Sequence, residues 1–311
     1  MASLLKKIPH PGGPKEESTE QSSHPVISGT NGTPNLPLYG KSALITGSSR
    51  NIGRAIALRL ADAGADVVIN YTANKEAADE TVEYINLRGV GKAVAIQSNV
   101  SSVTAANKLV TETVAAFKKI DILVLNAGIM GNKPIADVDE EYYDAHFNIN
   151  AKGPFFVTKF AVPYIPSGGR IIFFSTHLTV QSLITPNYVV YAATKGAIEQ
   201  FSRVLAKDLG TKGITVNTVS PGPTATSLFF AGKSQELIDK FKGFSPFNRL
   251  GEPEDIAGTV LFLAGPDAVW VSGQNIKVAG VSSSFCICRI AWSDKSYRQP
   301  PSNPQLQAES G

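Results

Sequence analysis

Residues 42–53 read SALITGSSRNIG, and this stretch decides the fold. Its first four residues predict a β-strand, and after the turn apolar residues recur at helical spacing from Arg54 to Ala63. Gly47 lets the chain turn sharply, Gly53 lets helix and strand approach, and the first amides of the helix can bind a pyrophosphate. The stretch therefore predicts a dinucleotide-binding turn, with a plain connection between strand and helix as the alternative.

Further along the chain, short apolar runs alternate with helical patterns, as is typical of a parallel sheet with crossover helices. Strands are expected at residues 42–45, 66–70, 93–97, 122–125, 170–174, 215–219 and 274–278. Helices are expected at residues 54–63, 75–87, 103–117, 142–164, 191–209 and 253–264. The sequence therefore predicts an α/β fold with a single Rossmann-type, doubly wound parallel sheet of seven strands and helices on both faces.

The end of the second strand indicates which dinucleotide is preferred. Asn70 and Tyr71 stand where a site for NAD would offer a carboxylate to the ribose hydroxyls. Arg50 could instead pair with a 2′-phosphate, because a guanidinium binds phosphate well. NADP is therefore the expected cofactor, and the alternative is that Arg50 is an exposed charge without a partner. The candidate residues in this half of the site are Gly47, Arg50, Asn51, Ile52, Gly53, Asn70 and Tyr71.

Two more strand ends carry candidate cofactor contacts. Asn99 and Val100 follow the third strand and are expected at the adenine edge. Asn126, Ala127 and Gly128 follow the fourth strand, where open α/β sheets bind ligands. The Asn126 amide could equally stabilise its own turn, and one residue can do both.

Tyr191 and Lys195 are the candidate catalytic pair. Four residues apart in a predicted helix, they share one face, so the ammonium can lie beside the phenol. A phenol loses its proton near pH 10 in water, and a cation about 4 Å away would lower that pKa toward the range useful for a proton donor. Tyr71 and Lys75 have the same spacing, so the motif is informative only because it follows a nucleotide fold.

Two further features of the chain leave alternatives open. Asn150 lies within the long apolar pattern of residues 142–164, either as a satisfied core amide or as the anchor of a water that extends a proton path from Lys195. The segment 227–247 is rich in phenylalanine and could form a lid over a flat apolar substrate or belong to the core. Its rings are Phe229, Phe230, Phe241, Phe244 and Phe247.

Composition restricts partners and location. The 311 residues carry a net charge of +3, close to balance, so no nucleic-acid partner is expected. The sequence offers no apolar run that could span a membrane and no secretory signal, so a cytoplasmic protein is expected.

Cys286 and Cys288 suit neither a disulfide framework nor a zinc site, and no metal is predicted. We expect one folded domain at residues 38–281. A disordered extension is expected before it, at residues 1–37, and an unstructured tail after it, at residues 282–311.

The order of these motifs resembles the short-chain dehydrogenase/reductase family over about residues 38–281, and within it the NADPH-dependent naphthol reductases and polyketide ketoreductases of fungal secondary metabolism. This resemblance implies that Tyr191 protonates a carbonyl oxygen, that Lys195 holds the nicotinamide ribose, and that Asn150 anchors a relay water. It also implies a homo-oligomer, dimer or tetramer, formed through the helices that carry Asn150 and Tyr191. The remaining cofactor contacts implied are Pro221, Gly222, Thr224 and Thr226.

The chain departs from the family pattern at several positions. Asn51 replaces the usual second glycine of the turn. Counting from the arginine that opens the fifth strand places the carbonyl-orienting hydroxyl at Thr176, with Ser175 as the alternative, because strand alternation lets only one of them face the cofactor. His177 is interpreted as a loop residue rather than an acid. The tail after residue 281 is longer than the family pattern.

The functional hypothesis is therefore a reductase that converts a ketone, cyclic or aromatic, to a secondary alcohol with NADPH. The first rival is an NAD-dependent alcohol dehydrogenase. A rival of another class is a dinucleotide-binding regulator without catalytic turnover, against which the intact pair of Tyr191 and Lys195 argues.

Overall fold

The computed structural model describes residues 36–182 and 184–281. The predicted extension at residues 1–37 lies outside this part of the chain except for its last two residues. The predicted tail at residues 282–311 lies wholly outside it.

Seven strands form one sheet in which all neighbours are parallel, in the order β3-β2-β1-β4-β5-β6-β7. The predicted fold is thereby confirmed, and each expected strand is present with its ends shifted by at most two residues. The strands are β1 Ser42–Ile45, β2 Asp66–Tyr71, β3 Ala93–Gln97, β4 Ile122–Leu125, β5 Arg170–Phe174, β6 Thr215–Pro221 and β7 Asn275–Val278.

Helices cover both faces of this sheet. The α-helices are α1 Asn51–Asp62, α2 Lys75–Arg88, α3 Val103–Phe117, α4 Glu140–Phe147, α5 Gly153–Ala161, α6 Val189–Gly210, α7 Ser227–Phe230, α8 Gln235–Gly243 and α9 Pro253–Ala264. Short 3₁₀ turns lie at Ile135–Asp137, Val162–Tyr164, His177–Val180, Pro186–Tyr188 and Pro266–Ala268.

Alternation along the strands divides the core into two layers. In β1, Ala43 and Ile45 pack with α1 and α9 on one face, whereas Leu44 packs with α3, α5 and α6 on the other. All four β1 residues are buried, as expected for a strand covered on both faces. The continuous apolar runs of the sequence follow directly from this double coverage.

The site-bearing edge of the sheet is fixed where β1 meets β4. The chain crosses from β1 toward β2 on one side and later from β4 toward β5 on the other, so the turns after β1 and β4 open into one crevice. Thr46 N donates to Val124 O (2.9 Å), and Asn126 Nδ2 donates to Thr46 O and Gly47 O (3.0 Å each). These contacts bring together the two turns that the sequence singled out.

Two helical features differ from prediction. The single helix expected at residues 142–164 is divided by a π-helical segment, Asn148–Lys152, between α4 and α5. Helices α7 and α8 were not predicted, although Ser234 caps α8 by accepting from Leu237 N and Glu236 lies in its first turn. A serine before an acidic first turn is a start signal that was available in the sequence.

Gly53 is a position at which the backbone leaves no room for a side chain. A Cβ there would lie 2.3 Å from Gly47 O and 2.8 Å from Ser48 Cα, both backbone atoms. We expect Gly53→Ala to destabilise the protein by about 1–3 kcal/mol and to lower its melting temperature by several degrees. Gly258→Ala in α9, where a Cβ meets nothing within 4 Å, is the matched control and should melt at or slightly above the wild-type temperature. Equal melting of all three proteins would contradict the close approach.

Candidate active site

Tyr191 and Lys195 lie on the first two turns of α6 and face the end of β5. Both are nearly buried, with 8% and 5% of their surface exposed. They line a cavity of about 460 Å³ together with residues at the ends of β4, β5 and β6. A cavity of this size is in the range that holds a small molecule.

Lys195 is held against the sheet rather than against the phenol. Its Nζ donates to Phe174 O (2.9 Å) and lies 6.0 Å from the centroid of the Tyr191 ring. A Cβ placed on Gly128 would be 3.4 Å from this Nζ and 3.0 Å from Asn150 Oδ1, so the three residues meet in one corner. Burial lowers the pKa of Lys195 from 10.5 to about 8.

Tyr191 is a weaker acid in the protein than in water. Burial raises the pKa of its phenol from 10.0 to about 12, an interaction with the Thr176 hydroxyl opposes part of that rise, and Tyr188 adds slightly to it. We expected Lys195 to lower the pKa of the Tyr191 phenol. In the protein without a cofactor this expectation is wrong, because the pKa is raised. The physical reason is that the ammonium is turned toward the Phe174 carbonyl while the phenol loses its hydration.

The structure separates the two candidate hydroxyls at the end of β5. Ser175 Oγ donates to Glu199 Oε1 (2.7 Å), an acceptor that it shares with Thr179 Oγ1 (2.6 Å). Thr176 is the residue whose hydroxyl interacts with Tyr191. Ser175 also borders the cavity, but its hydroxyl is bonded back to α6, which favours Thr176 as the orienting group; the choice between the two remains a prediction.

Asn150 is a satisfied buried amide. Its Oδ1 accepts from Ile129 N (2.9 Å), and its Nδ2 donates to Ile129 O (2.9 Å) and to Thr194 Oγ1 (3.2 Å). The side chain thus joins the π-helical segment to the loop that follows Gly128 and to α6. These bonds give the side chain the core role of the two alternatives, and the relay water remains a prediction.

Several predicted cofactor residues line the other half of the same cavity. The start of α1 carries no acidic residue in its first turn and no side-chain cap from Arg50, so its amides remain available for an anion. Arg50 is exposed. The predicted cofactor residues that border the cavity itself are Ile52, Asn126, Gly128, Pro221, Gly222, Thr224 and Thr226.

Other predicted cofactor residues have structural side chains instead. Asn70 is buried; its Oδ1 accepts from Gly47 N (3.1 Å), and its Nδ2 donates to Ile96 O and Ser98 O. Tyr71 and Val100 belong to the two core layers. Asn99 Oδ1 accepts from Ser101 N (3.1 Å) within its own turn. Asn70, Tyr71 and Val100 therefore have side chains that serve the fold, whereas Asn99 is exposed, and their contacts with a cofactor remain a prediction.

Asn51 has a role that the sequence did not reveal. It adopts a left-handed backbone with φ of +51°, which asparagine tolerates better than most residues. Its Nδ2 donates to Ser227 Oγ (2.9 Å), and its Oδ1 accepts from Ser227 N (3.3 Å). The residue that replaces a glycine thus ties the cofactor turn to the start of α7, which glycine could not do.

The segment 227–247 forms the outer wall of the cavity, as one of the two alternatives predicted. Phe229, Phe241 and Phe244 line it, whereas Phe230 and Phe247 are more exposed and do not. His177 also borders the cavity, where its Nδ1 donates to Pro221 O (3.3 Å). Burial lowers the pKa of His177 and the bonds to Pro221 and Gln181 raise it, with burial prevailing.

Within residues 36–182 and 184–281, no group of three or more His, Cys, Asp or Glu side chains could hold a metal ion. In that same part of the chain, no helix has both the length and the apolar character needed to span a bilayer.

The lowered pKa of Lys195 predicts a specific pH dependence of stability. Because the folded pKa of about 8 lies below the ordinary 10.5, the buried ammonium destabilises the fold below pH 8, and this penalty fades as the pH rises toward 10.5. The stability of the wild type relative to Lys195→Met should therefore increase between pH 7 and pH 10, by at most about 3 kcal/mol. Denaturant unfolding at each pH gives the free energy of unfolding of each protein, and the exposed Lys207→Met variant is the control. If the free energies of wild type and Lys195→Met change with pH in the same way, the burial effect is contradicted.

Comparison with known proteins agrees with this architecture. Residues 47–280 match a family model described as enoyl-(acyl carrier protein) reductase. A probable tetrahydroxynaphthalene reductase from Zymoseptoria tritici is 42% identical over 261 residues, covering 80% of this chain and 96% of the relative. Versicolorin reductase 1 from Aspergillus parasiticus is 43% identical over 258 residues, covering 79% and 97%. A short chain dehydrogenase from Burkholderia cenocepacia, solved in complex with NADP, has a TM-score of 0.75 at 35% identity, covering 79% of this chain and 99% of its own. The resemblance inferred from the motifs is thus confirmed, and this chain belongs to the short-chain dehydrogenase/reductase family.

Proposed function

We propose that this protein is an NADPH-dependent ketoreductase that converts a cyclic or aromatic ketone to a secondary alcohol. The observation that carries the proposal is the shared cavity, whose wall contains Tyr191 and Thr176 together with Ile52 at the start of α1. Two relatives with more than 40% identity are named a probable tetrahydroxynaphthalene reductase and versicolorin reductase 1.

NADP is the cofactor. The family neighbour from Burkholderia cenocepacia was solved with NADP. In this chain, β2 ends without a carboxylate that would repel a 2′-phosphate, and Arg50 is exposed at the start of α1. A guanidinium at that position favours the phosphorylated dinucleotide over NAD. The cofactor, when bound, supplies hydride to the carbonyl carbon.

Tyr191 acts as the proton donor and Thr176 as the group that orients the carbonyl. Reduction of a carbonyl would develop negative charge on its oxygen, and the hydroxyls of Tyr191 and Thr176, as hydrogen-bond donors to that oxygen, would stabilise the charge. The Tyr191 proton then passes to the oxygen and yields the alcohol. Lys195, with a pKa of about 8, is mostly charged near neutral pH and offsets the negative charge that develops on Tyr191.

The raised pKa of Tyr191 favours the reductive direction. A phenol with a pKa of about 12 remains protonated at every physiological pH, as a proton donor must. An alkoxide is a much stronger base than a phenolate, so the proton transfer stays downhill. Oxidation of an alcohol would instead require the phenolate, which burial disfavours.

The assembly and location predicted from the sequence remain part of this proposal. Helices α5 and α6 expose apolar side chains, among them Phe155 (39%) and Val204 (55%), which supports a homo-oligomer formed through these helices. A cytoplasmic location fits a small-molecule reductase that uses NADPH. Residues 38–281 form the catalytic domain, in agreement with the family match over 47–280.

Removing the phenolic hydroxyl tests the proposed chemistry. The full chain should oxidise NADPH, and NADH more slowly, in the presence of a cyclic ketone such as 1-tetralone. Tyr191→Phe keeps the ring and removes the proton donor, so kcat should fall by about 10²–10⁴-fold while NADPH binding measured by fluorescence stays unchanged. Retained turnover in Tyr191→Phe would sink the assigned role, and absence of turnover across a ketone panel would favour the non-catalytic rival.

Paired substitutions at the end of β5 test which hydroxyl orients the carbonyl. Thr176→Val should lower kcat by about 10²-fold, and Thr176→Ser should restore most of it, because only the hydroxyl is required. Ser175→Ala should leave kcat within a few-fold and reduce the free energy of unfolding by about 1–3 kcal/mol, since it removes the bond to Glu199. The opposite pattern in steady-state kinetics would reassign the role to Ser175.

A further inference from the structure

The outer wall of the cavity combines aromatic rings with lysines. Phe229 packs edge-on against Phe241, with ring centroids 5.3 Å apart, and Phe241 packs in the same way against Phe244. Lys233 and Lys240 border the cavity from the same segment. Flat apolar walls of this kind accommodate an aromatic ring system, and the lysines give one end of it a positive charge.

The charged side chains that line the cavity are all positive. Lys233, Lys240 and Lys195 all line it, and no Asp or Glu is found among the described residues of its wall. None of the ion pairs in the described part of the chain includes Lys233 or Lys240. By contrast, Lys242 on the outer side of α8 pairs with Asp239 at 2.8 Å.

Lys233 is the lysine that the wall holds in place. Its Nζ donates to Phe229 O (2.6 Å) and lies 4.8 Å from the centroid of the Phe229 ring. An ammonium has three donors, and this carbonyl accepts one of them. Partial burial also lowers the pKa of Lys233, which shows that the cation loses hydration without gaining a counter-charge from the protein. A ligand anion would supply that charge.

The anionic groups of the cofactor have another place to bind. The start of α1 offers uncapped amides and Arg50, and it lies at the end of β1. Lys233 lies between α7 and α8, among the phenylalanines of the outer wall. Its position therefore matches the substrate end of the cavity better than the dinucleotide turn.

We infer that the substrate is an aromatic ketone that carries an anionic oxygen, a phenolate or a carboxylate, which Lys233 binds and Lys240 helps to attract. This inference rests on the proposed ketoreductase function and names its substrate class. It assigns to Lys233 a role in substrate specificity: the ammonium distinguishes charged from neutral aromatic compounds of the same shape.

A pair of matched ligands tests the anion site without turnover. Binding of 2-naphthoate and of neutral 2-naphthamide to the full chain saturated with NADP⁺ is measured by calorimetry at low salt. The wild type should prefer the naphthoate by at least about tenfold, because a charge-assisted hydrogen bond is stronger than a neutral one. Lys233→Met should abolish this preference, Lys233→Arg should keep most of it, and Lys242→Met, the control on α8, should leave it unchanged.

The outcomes separate this inference from the proposed function. Equal affinity of the wild type for both ligands would overturn it, as would a Lys233→Met variant that keeps the preference. A loss of NADP⁺ affinity in Lys233→Met that equals the loss of naphthoate affinity would assign the lysine to the cofactor diphosphate instead. If the naphthoate preference is present and depends on Lys233 but no ketone supports NADPH oxidation, the anion site stands and the proposed reaction fails.

Discussion

The pairing of β1 with β4 is the constraint on which the site depends. These strands lie side by side although more than seventy residues separate them, and the chain leaves them in opposite directions across the sheet. Their carboxyl ends therefore leave an open crevice, closed at its base by the amide of Asn126. Because β5 follows β4 in the sheet, Thr176 reaches the edge of this crevice. A tyrosine on the helix before β6 then completes a site assembled from four separate parts of the chain.

Burial determines the pKa values of the two ionisable side chains of the site, Tyr191 and Lys195. The same loss of hydration raises the pKa of Tyr191 and lowers that of Lys195, so each group is shifted toward its neutral form. Their ordinary pKa values lie within one unit of each other, and in the folded protein the phenol becomes clearly the weaker acid. Without a cofactor, the protein therefore keeps the Tyr191 phenol neutral and makes the Lys195 ammonium easier to deprotonate. Negative charge that develops on a substrate oxygen would attract the phenol proton and the ammonium.

The outer wall of the cavity is joined to the predicted cofactor turn by side-chain hydrogen bonds. Asn51 in the cofactor turn holds Ser227 at the start of α7, and Lys233 follows six residues later against the Phe229 carbonyl. The segment that faces the substrate is therefore anchored on the turn that faces the dinucleotide.

Local patterns in the sequence determined the strands, the glycine turn and the spacing of Tyr191 and Lys195, because buried parallel strands and helix faces leave continuous signals in neighbouring residues. Counting along the fifth strand also favoured Thr176. The sequence could not determine where Asn70 and Ser175 point, that Lys195 bonds to Phe174 O, or that Asn51 meets Ser227. Those contacts join residues up to 176 positions apart. Only the packed sheet decides them, since side-chain direction and burial at a strand end depend on which other segments come to lie beside it.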